Sequence, residues 1–305
     1  MDFIEIAVND IDGEAAEAVS ELFNRYGHGG AVIEALAPDF DKVTVRTVIP
    51  SEDDQRLRHL EMMLTLVGQA LPHGLPEPRL QFVGKTDWAV SWKEHFHVVR
   101  IGRRFVIKPS WRDYYNPMAD DIVIEIDPGL AFGSGLHPTT QLCLQIFEQM
   151  DWQGQSLFDV GTGSGILSIA AAKLGAASIR AVDVDEVAVR VAEENFERND
   201  LDSHPDPPPQ IGEKVFIETA VGSAADRGGR QWPVVVANIL AHILIKLMPD
   251  LAAALTRGGH LILSGMLDEQ EAEVTAAAAA QGLRVIERRT NEDWVALIVE
   301  RGAAL

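Results

Sequence analysis

The chain has 305 residues, 47% of them apolar and 24% charged, with a formal net charge of −20 and a single cysteine, Cys143. That length exceeds one ordinary hydrophobic core and predicts two domains, and the composition is that of a globular protein, with no apolar run near the roughly 18 residues of a membrane span. The opening MDFIEIAVND lacks both parts of a secretory signal, one cysteine excludes an internal disulfide framework, and the acidity argues against binding nucleic acid through bulk charge while favouring a basic partner or plain solubility.

In chain order, Phe3 to Val8 alternates as a strand, and Asp12 caps a helix to about Tyr26 with Ala15, Val19, Leu22 and Phe23 on one face. Residues 31–35 and 42–49 read as strands. Ser51 followed by Asp54 starts a second helix with Leu57, Leu60, Leu64 and Val67 at helical spacing. Pro72 to Pro78 is a loop, and Arg79 to Val83 a last strand. The order βαββαβ predicts a ferredoxin-like α+β domain over 1–84. It contains no catalytic cluster and reads as a recognition domain. Residues 85–120 form a connector in which Trp88, Trp92, Phe96 and Trp111 stand among Lys93, His95, His97, Arg100, Arg103, Arg104 and Lys108. An RNA-binding strip and a packed inter-domain connector both fit that patch, and the connector is the preferred reading.

The remaining stretch, 121–305, is predicted as one α/β domain. Ile122 to Ile126 is a strand, and a helix starts at Pro138, near its first position. From Gln155 strands at 157–160, 179–182, 215–219, 234–237 and 260–264 alternate with helices at 166–174, from after the second of these strands to about Asn199, and at 243–255 and 271–281. A proline-rich loop holds Pro205, Pro207, Pro208 and Pro209. Repeated βα units give a doubly wound, mostly parallel Rossmann-like sheet. The last two strands, 283–288 and 294–299, have no helix between them and imply an antiparallel edge, as in class I methyltransferases.

The chemistry concentrates in four places. Asp159-Val160-Gly161-Thr162-Gly163-Ser164-Gly165 follows a strand and opens a helix; Gly161 and Gly163 allow a tight turn and close approach to a ligand. Its glycine spacing departs from the dinucleotide fingerprint and suits a loop beneath the amino-acid part of S-adenosylmethionine. About twenty residues on, Asp183 can accept both ribose hydroxyls of a nucleoside, while Asp185 is a helix cap. This pair also fits an NAD enzyme. Asn238 ends the fourth strand beside the switch point, where its amide oxygen can hold an amine. Upstream, Asp127 to Thr140 places glycines around Phe132 before a helix whose N-terminus, with the Thr140 hydroxyl, can meet a carboxylate; His137 there is read as structural. No metal-ligand spacing and no nucleophile elbow are present, and the sequence identifies no general base.

These segments, with the tail Asn291-Glu292-Asp293-Trp294, resemble the PrmA-type ribosomal protein methyltransferases over essentially the whole chain. The stretch Phe132-Gly133-Ser134-Gly135-Leu136-His137-Pro138-Thr139-Thr140 is its most specific part. The resemblance implies a class I methyltransferase domain and S-adenosylmethionine contacts at Thr140, Gly161, Gly163, Asp183 and Asn238. It also implies methylation of lysine ε-amines and the α-amine of the eleventh large-subunit ribosomal protein, a basic substrate captured by the N-terminal domain. A cytoplasmic monomer without direct nucleic-acid binding is expected. The alternative is a class I methyltransferase acting on RNA or a small molecule; a nucleoside-binding module and an NAD-linked oxidoreductase are the readings from other classes. The Asn-Pro-Pro-Tyr motif of other amino-group methyltransferases stands here as Asn238-Ile239-Leu240-Ala241, without the aromatic, and the proline-rich loop reads as an insertion.

Overall fold

The computed structural model describes residues 3–35, 42–71, 73–83, 97–115, 117–127, 135, 137–203 and 215–301. Trp88, Trp92, Lys93, His95 and Phe96 of the connector, Gly129 to Ser134 and Leu136 of the upstream loop, and Pro205 to Pro209 lie outside the described residues. The chain divides into two compact units, one of Met1–Phe96 and one of His97–Pro128 with Gly133–Leu305.

The first unit contains β1 (Phe3–Ile11), α1 (Gly13–Tyr26), β2 (His28–Ala35), β3 (Val43–Pro50), α2 (Asp54–Ala70) and β4 (Arg79–Val83). Its sheet has the order β2-β3-β1-β4 with every pair antiparallel, the ferredoxin-like arrangement. Asp12 caps α1, accepting from Ala15 N–H at 2.9 Å. Asp53, rather than Ser51, caps α2, accepting from Arg56 N–H at 3.0 Å; its carboxylate sits one position before the first helical residue, where a cap must sit. Ile6, Val8, Val19, Phe23, Ile49 and Leu60 form the core between helices and sheet. β1 runs three residues past the predicted Val8 because a bulge between Val8 and Ile11, with Asp10 at φ +59°, absorbs the polar Asn9-Asp10.

The second unit opens with a small sheet of β5 (Val99–Ile101), β6 (Phe105–Lys108) and β7 (Ile122–Glu125). It continues with α3 (Pro138–Phe147), β8 (Ser156–Val160), α4 (Ile166–Leu174), β9 (Ser178–Asp183), α5 (Glu186–Arg198), β10 (Phe216–Val221) and β11 (Trp232–Asn238). The last elements are α6 (Ala241–Ala254), β12 (Leu255–Leu267), α7 (Glu271–Ala280), β13 (Leu283–Asn291) and β14 (Trp294–Arg301). The main sheet is ordered β10-β9-β8-β11-β12-β14-β13, parallel up to β12, with β14 antiparallel to both neighbours. This is the Rossmann-like class I methyltransferase fold. Its central strands are buried on both faces and therefore read as apolar runs. Two apolar clusters, one on each side of the sheet, include Phe147, Trp152, Ile169 and Phe196, and Phe158, Trp232, Leu244 and Leu263.

Among the boundaries that differ from the sequence reading, two have a specific cause. α6 begins at Ala241 and tolerates Pro249 in its interior, because Leu244, Met248 and Leu251 bury its apolar face. β12 starts at Leu255, five residues early; the register jumps from Trp232↔Leu255 to Val234↔His260, and the excursion between them holds Gly258 at φ +71°. No helix among the described residues is long and apolar enough to cross a membrane.

Candidate active site

The strand order reverses between β8 and β11, which leave the switch point in opposite directions across the sheet. At the carboxyl end of β8 the chain turns through Gly161 at φ +75° and Gly163 at φ +55°, a region open to glycine. The N–H groups of Gly161 and Thr162 both donate to Val182 O, at 2.9 and 3.0 Å, which binds the turn to the end of β9. Gly165, at φ +79°, has no side chain because a Cβ would stand 2.8 Å from the Phe196 ring. Asn195 donates to Ser164 O at 2.9 Å and closes the loop from α5.

Asp183 ends β9 and reaches back to this loop. Its Oδ2 accepts from Gly163 N–H at 2.9 Å and its Oδ1 from Asp185 N–H at 3.0 Å. Burial pushes its pKa up, against the opposing effect of these backbone donors. A carboxylate has about four acceptor sites, so it keeps capacity for a ligand beyond these donors. Asp185 caps α5 through Val187 N–H at 2.8 Å.

Asp159 opens the glycine motif, where the sequence assigns it no role. In the structure it is a buried carboxylate whose Oδ2 accepts from Thr162 Oγ at 2.8 Å and Ser168 Oγ at 2.7 Å. It ties the turn to the first turn of α4. Burial raises its pKa to about 6, with the Asp183 charge adding to the rise and the two hydroxyl bonds opposing it. The signal available in sequence was the pairing of an acid with hydroxyls three and nine residues on.

Asn238 ends β11, one residue beyond the Ala237↔Val160 pair. Its Nδ2 donates to Thr140 Oγ at 3.3 Å, joining β11 to the first turn of α3. Its Oδ1 is buried and has no hydrogen-bond partner among the described residues. An orphan acceptor of this kind costs free energy unless something fills it. The structure thus brings together Thr140 with Asn238, and Gly163 with Asp183, with Gly161 bonded to Val182 beside it.

His137 caps α3 and Pro138 is its first residue. The imidazole lies edge-on to Trp294 at 4.5 Å, and burial pushes its pKa down to about 4. It is therefore neutral and packed, a structural residue. The Cys143 thiol, fully buried, is pushed up to about 12 by burial and is inert.

Part of the described basic patch is paired internally. Arg100 forks onto Asp121 at 2.7 and 2.9 Å and also donates to Tyr114 Oη at 2.8 Å, holding the Asp121 carboxyl well below its usual range. Lys108 pairs with Glu125. The N–H groups of Arg103 and Arg104 bind Glu148. Among the described residues no group of three or more His, Cys, Asp or Glu could hold a metal ion.

The family profile described as "Ribosomal protein L11 methyltransferase (PrmA)" matches residues 2–302. A ribosomal protein L11 methyltransferase of Chloroflexus aurantiacus is 42% identical, over 98% of each chain. Another, of Herpetosiphon aurantiacus, is 40% identical over 97% of this chain and 98% of its own. The crystal structure of a ribosomal protein L11 methylase from Lactobacillus delbrueckii subsp. bulgaricus superposes with a TM-score of 0.61 at 34% identity, covering 68% of this chain and all of that one.

Proposed function

Because the chain belongs to the ribosomal protein L11 methyltransferase (PrmA) family, we propose that it moves methyl groups from S-adenosylmethionine to ribosomal protein L11, at lysine ε-amines and the N-terminal α-amine. The donor supplies a methyl group already activated on a sulfonium sulfur. The chain's residues then have to bind, align and exclude water, a proximity effect.

The residues present fit that donor. Asp183 takes the ribose hydroxyls with the acceptor capacity its backbone donors leave free. Gly161 and Gly163 let the backbone lie close beneath the amino-acid part. Thr140, in the first turn of α3, can donate its hydroxyl proton to a carboxylate while its oxygen holds Asn238. Asp159 keeps the loop in shape.

The observation that supports amine transfer is the orphan Oδ1 of Asn238 at the end of β11. It can accept an N–H from an incoming amine and aim its lone pair, with Nδ2 fixed by Thr140. The attacking amine must be neutral. Lysine's reference pKa is about 10.4, and a dry pocket disfavours the ammonium. Proton release to water or a transient carboxylate suffices, and no residue is assigned as general base.

In this reading the ferredoxin-like unit, 1–84, captures the substrate and 121–305 performs the transfer; of the 85–120 stretch read as connector, the part from His97 onward belongs to the second unit. The enzyme works as a monomer in the cytoplasm on a basic protein, without binding nucleic acid directly. The internal pairing of Arg100 and Lys108 supports a packed connector over an RNA strip. The test is incubation with labelled S-adenosylmethionine and purified ribosomal proteins, read by mass spectrometry. Label on L11 at lysines and the N-terminus is expected. Label on RNA, or none on L11, overturns the reading.

A further inference from the structure

The peptide that follows Asn238 is held on both sides with no space to spare. Ile239 leaves β11 toward α6. A Cβ on Gly161 would stand 2.4 Å from Ile239 Cγ2, so the methyl branch of Ile239 rests directly on the Gly161 backbone. On the other side Gly265, at φ +89°, faces the Ile239 main chain. A Cβ there would lie 2.4 Å from Ile239 O, 2.7 Å from its carbonyl carbon and 2.9 Å from its nitrogen. Ile239 N–H donates to Ser264 O at 3.1 Å. Ser264 Oγ in turn donates to Val295 O at 3.0 Å on β14.

Ile239 is thus seated twice. Its backbone is fixed to β12 at a bulge between Ser264 and Met266, and its side chain is stopped by the glycine turn between β8 and α4. Asn238, one residue earlier, inherits its position from that seat. The contact is made by the β-branch, which is stiff at χ1. A γ-branched side chain of similar volume has no methyl at that place.

We propose that Ile239 is a positioning residue for methyl transfer: it is the spacer that sets the Asn238 amide against the glycine turn, and it does so through its β-branch. The proposal rests on the reading that Asn238 orients the substrate amine. Misplacement of a reacting group by an ångström can cost about a hundredfold in rate, so a spacer between the amine holder and the donor loop acts on rate before affinity. Gly265 serves the same end by giving the Ile239 main chain room.

The experiment compares Ile239→Val, Ile239→Leu and Ile239→Ala with Asn238→Ala in the full-length protein. Single-turnover methylation of L11 at saturating S-adenosylmethionine is measured beside calorimetric donor affinity and Tm. Valine keeps the branch and is expected within about twofold of the parent rate. Leucine and alanine lose it and should fall about 10- to 100-fold, with donor affinity within about threefold and a rate loss that does not track Tm. Equal rates for the valine and leucine variants, or rates that follow Tm through the series, overturn the spacer. A slow Asn238→Ala with a fast Ile239→Leu overturns the spacer alone. An Asn238→Ala variant at the parent rate overturns the amine reading, and the spacer with it.

Discussion

The side-chain amide of Asn238 donates to Thr140 Oγ at 3.3 Å, linking residues 98 positions apart. Thr140 is 1% exposed, so the acceptor it offers is not replaced by water when removed. Thr140→Val keeps the volume and leaves Asn238 Nδ2 unpaired, at about 1–3 kcal/mol of stability. It also frees the amide to rotate away from the amine. Single-turnover transfer should fall about tenfold, on the scale of one lost hydrogen bond. Thr140→Ser retains the hydroxyl and should stay near the parent. Equal rates for the two variants would show that the amide does not depend on this contact.

Asp183 accepts from Gly163 and Asp185 N–H, and in the proposed reading it also takes the ribose hydroxyls. Asp183→Ala should weaken S-adenosylmethionine binding by about 1.5–3 kcal/mol, the scale of hydrogen bonds to a charged group. Asp183→Asn keeps one acceptor oxygen and should lose less. The fold should survive both, because the residue lies at a strand end. Calorimetric affinity equal to the parent in the alanine variant would remove Asp183 from the site.

The division of labour between the units predicts that residues 97–305 bind S-adenosylmethionine but do not methylate L11. The start point matters. A fragment from Trp111, well inside the 85–120 stretch read as connector, would lack β5 and β6 and with them the buried Ile101, Phe105, Val106 and Ile107. That shorter fragment should melt far below the longer one by circular dichroism. Full L11 methylation by residues 97–305 would sink the assignment of substrate capture to the first unit.

Much of this architecture is written in local sequence. Strands buried on both faces show as apolar runs, and Gly165 and Gly175 mark both ends of α4 through positive φ. Gly161, Gly163 and Asp183 could be singled out because a glycine turn and an acid at successive strand ends have a chemistry of their own. What remained hidden depends on contacts that topology alone closes. Thr140 meets Asn238 only because α3 packs at the end of β11. The fit of Ile239 between Gly161 and Gly265 joins three separate segments. The early start of β12 depends on a register jump opposite Trp232 that no periodicity announces.

Asp159, buried, and His137, half-buried, should give opposite pH slopes in overlapping windows. Asp159 has its pKa raised to about 6, chiefly by burial. Unfolded it titrates near 3.8, the ordinary value of the group. Between these values the folded state holds a proton that the unfolded state has released, so stability declines as pH rises. Its contribution is present below about 4 and lost through about 6. His137 is the mirror case: burial lowers it to about 4 from 6.5. Over that span the unfolded state binds the extra proton, so the contribution of His137 is present above 6.5 and lost as pH falls through about 4. Each shift corresponds to something on the order of 3 kcal/mol when fully developed. In the parent protein the two effects oppose, and single variants should unmask them. Asp159→Asn removes the first titration, and His137→Asn removes the second while keeping a side chain suited to the cap of α3. In urea unfolding between pH 4.5 and 7, the parent's stability advantage over Asp159→Asn should shrink with rising pH. Its advantage over His137→Asn should grow across the same range. Asp183, whose pKa burial also raises, remains in both variants; its charge is coupled to Asp159, so the Asp159→Asn difference reads the two carboxyls together. Slopes of the same sign in the two comparisons would mean that one of these groups is hydrated in solution.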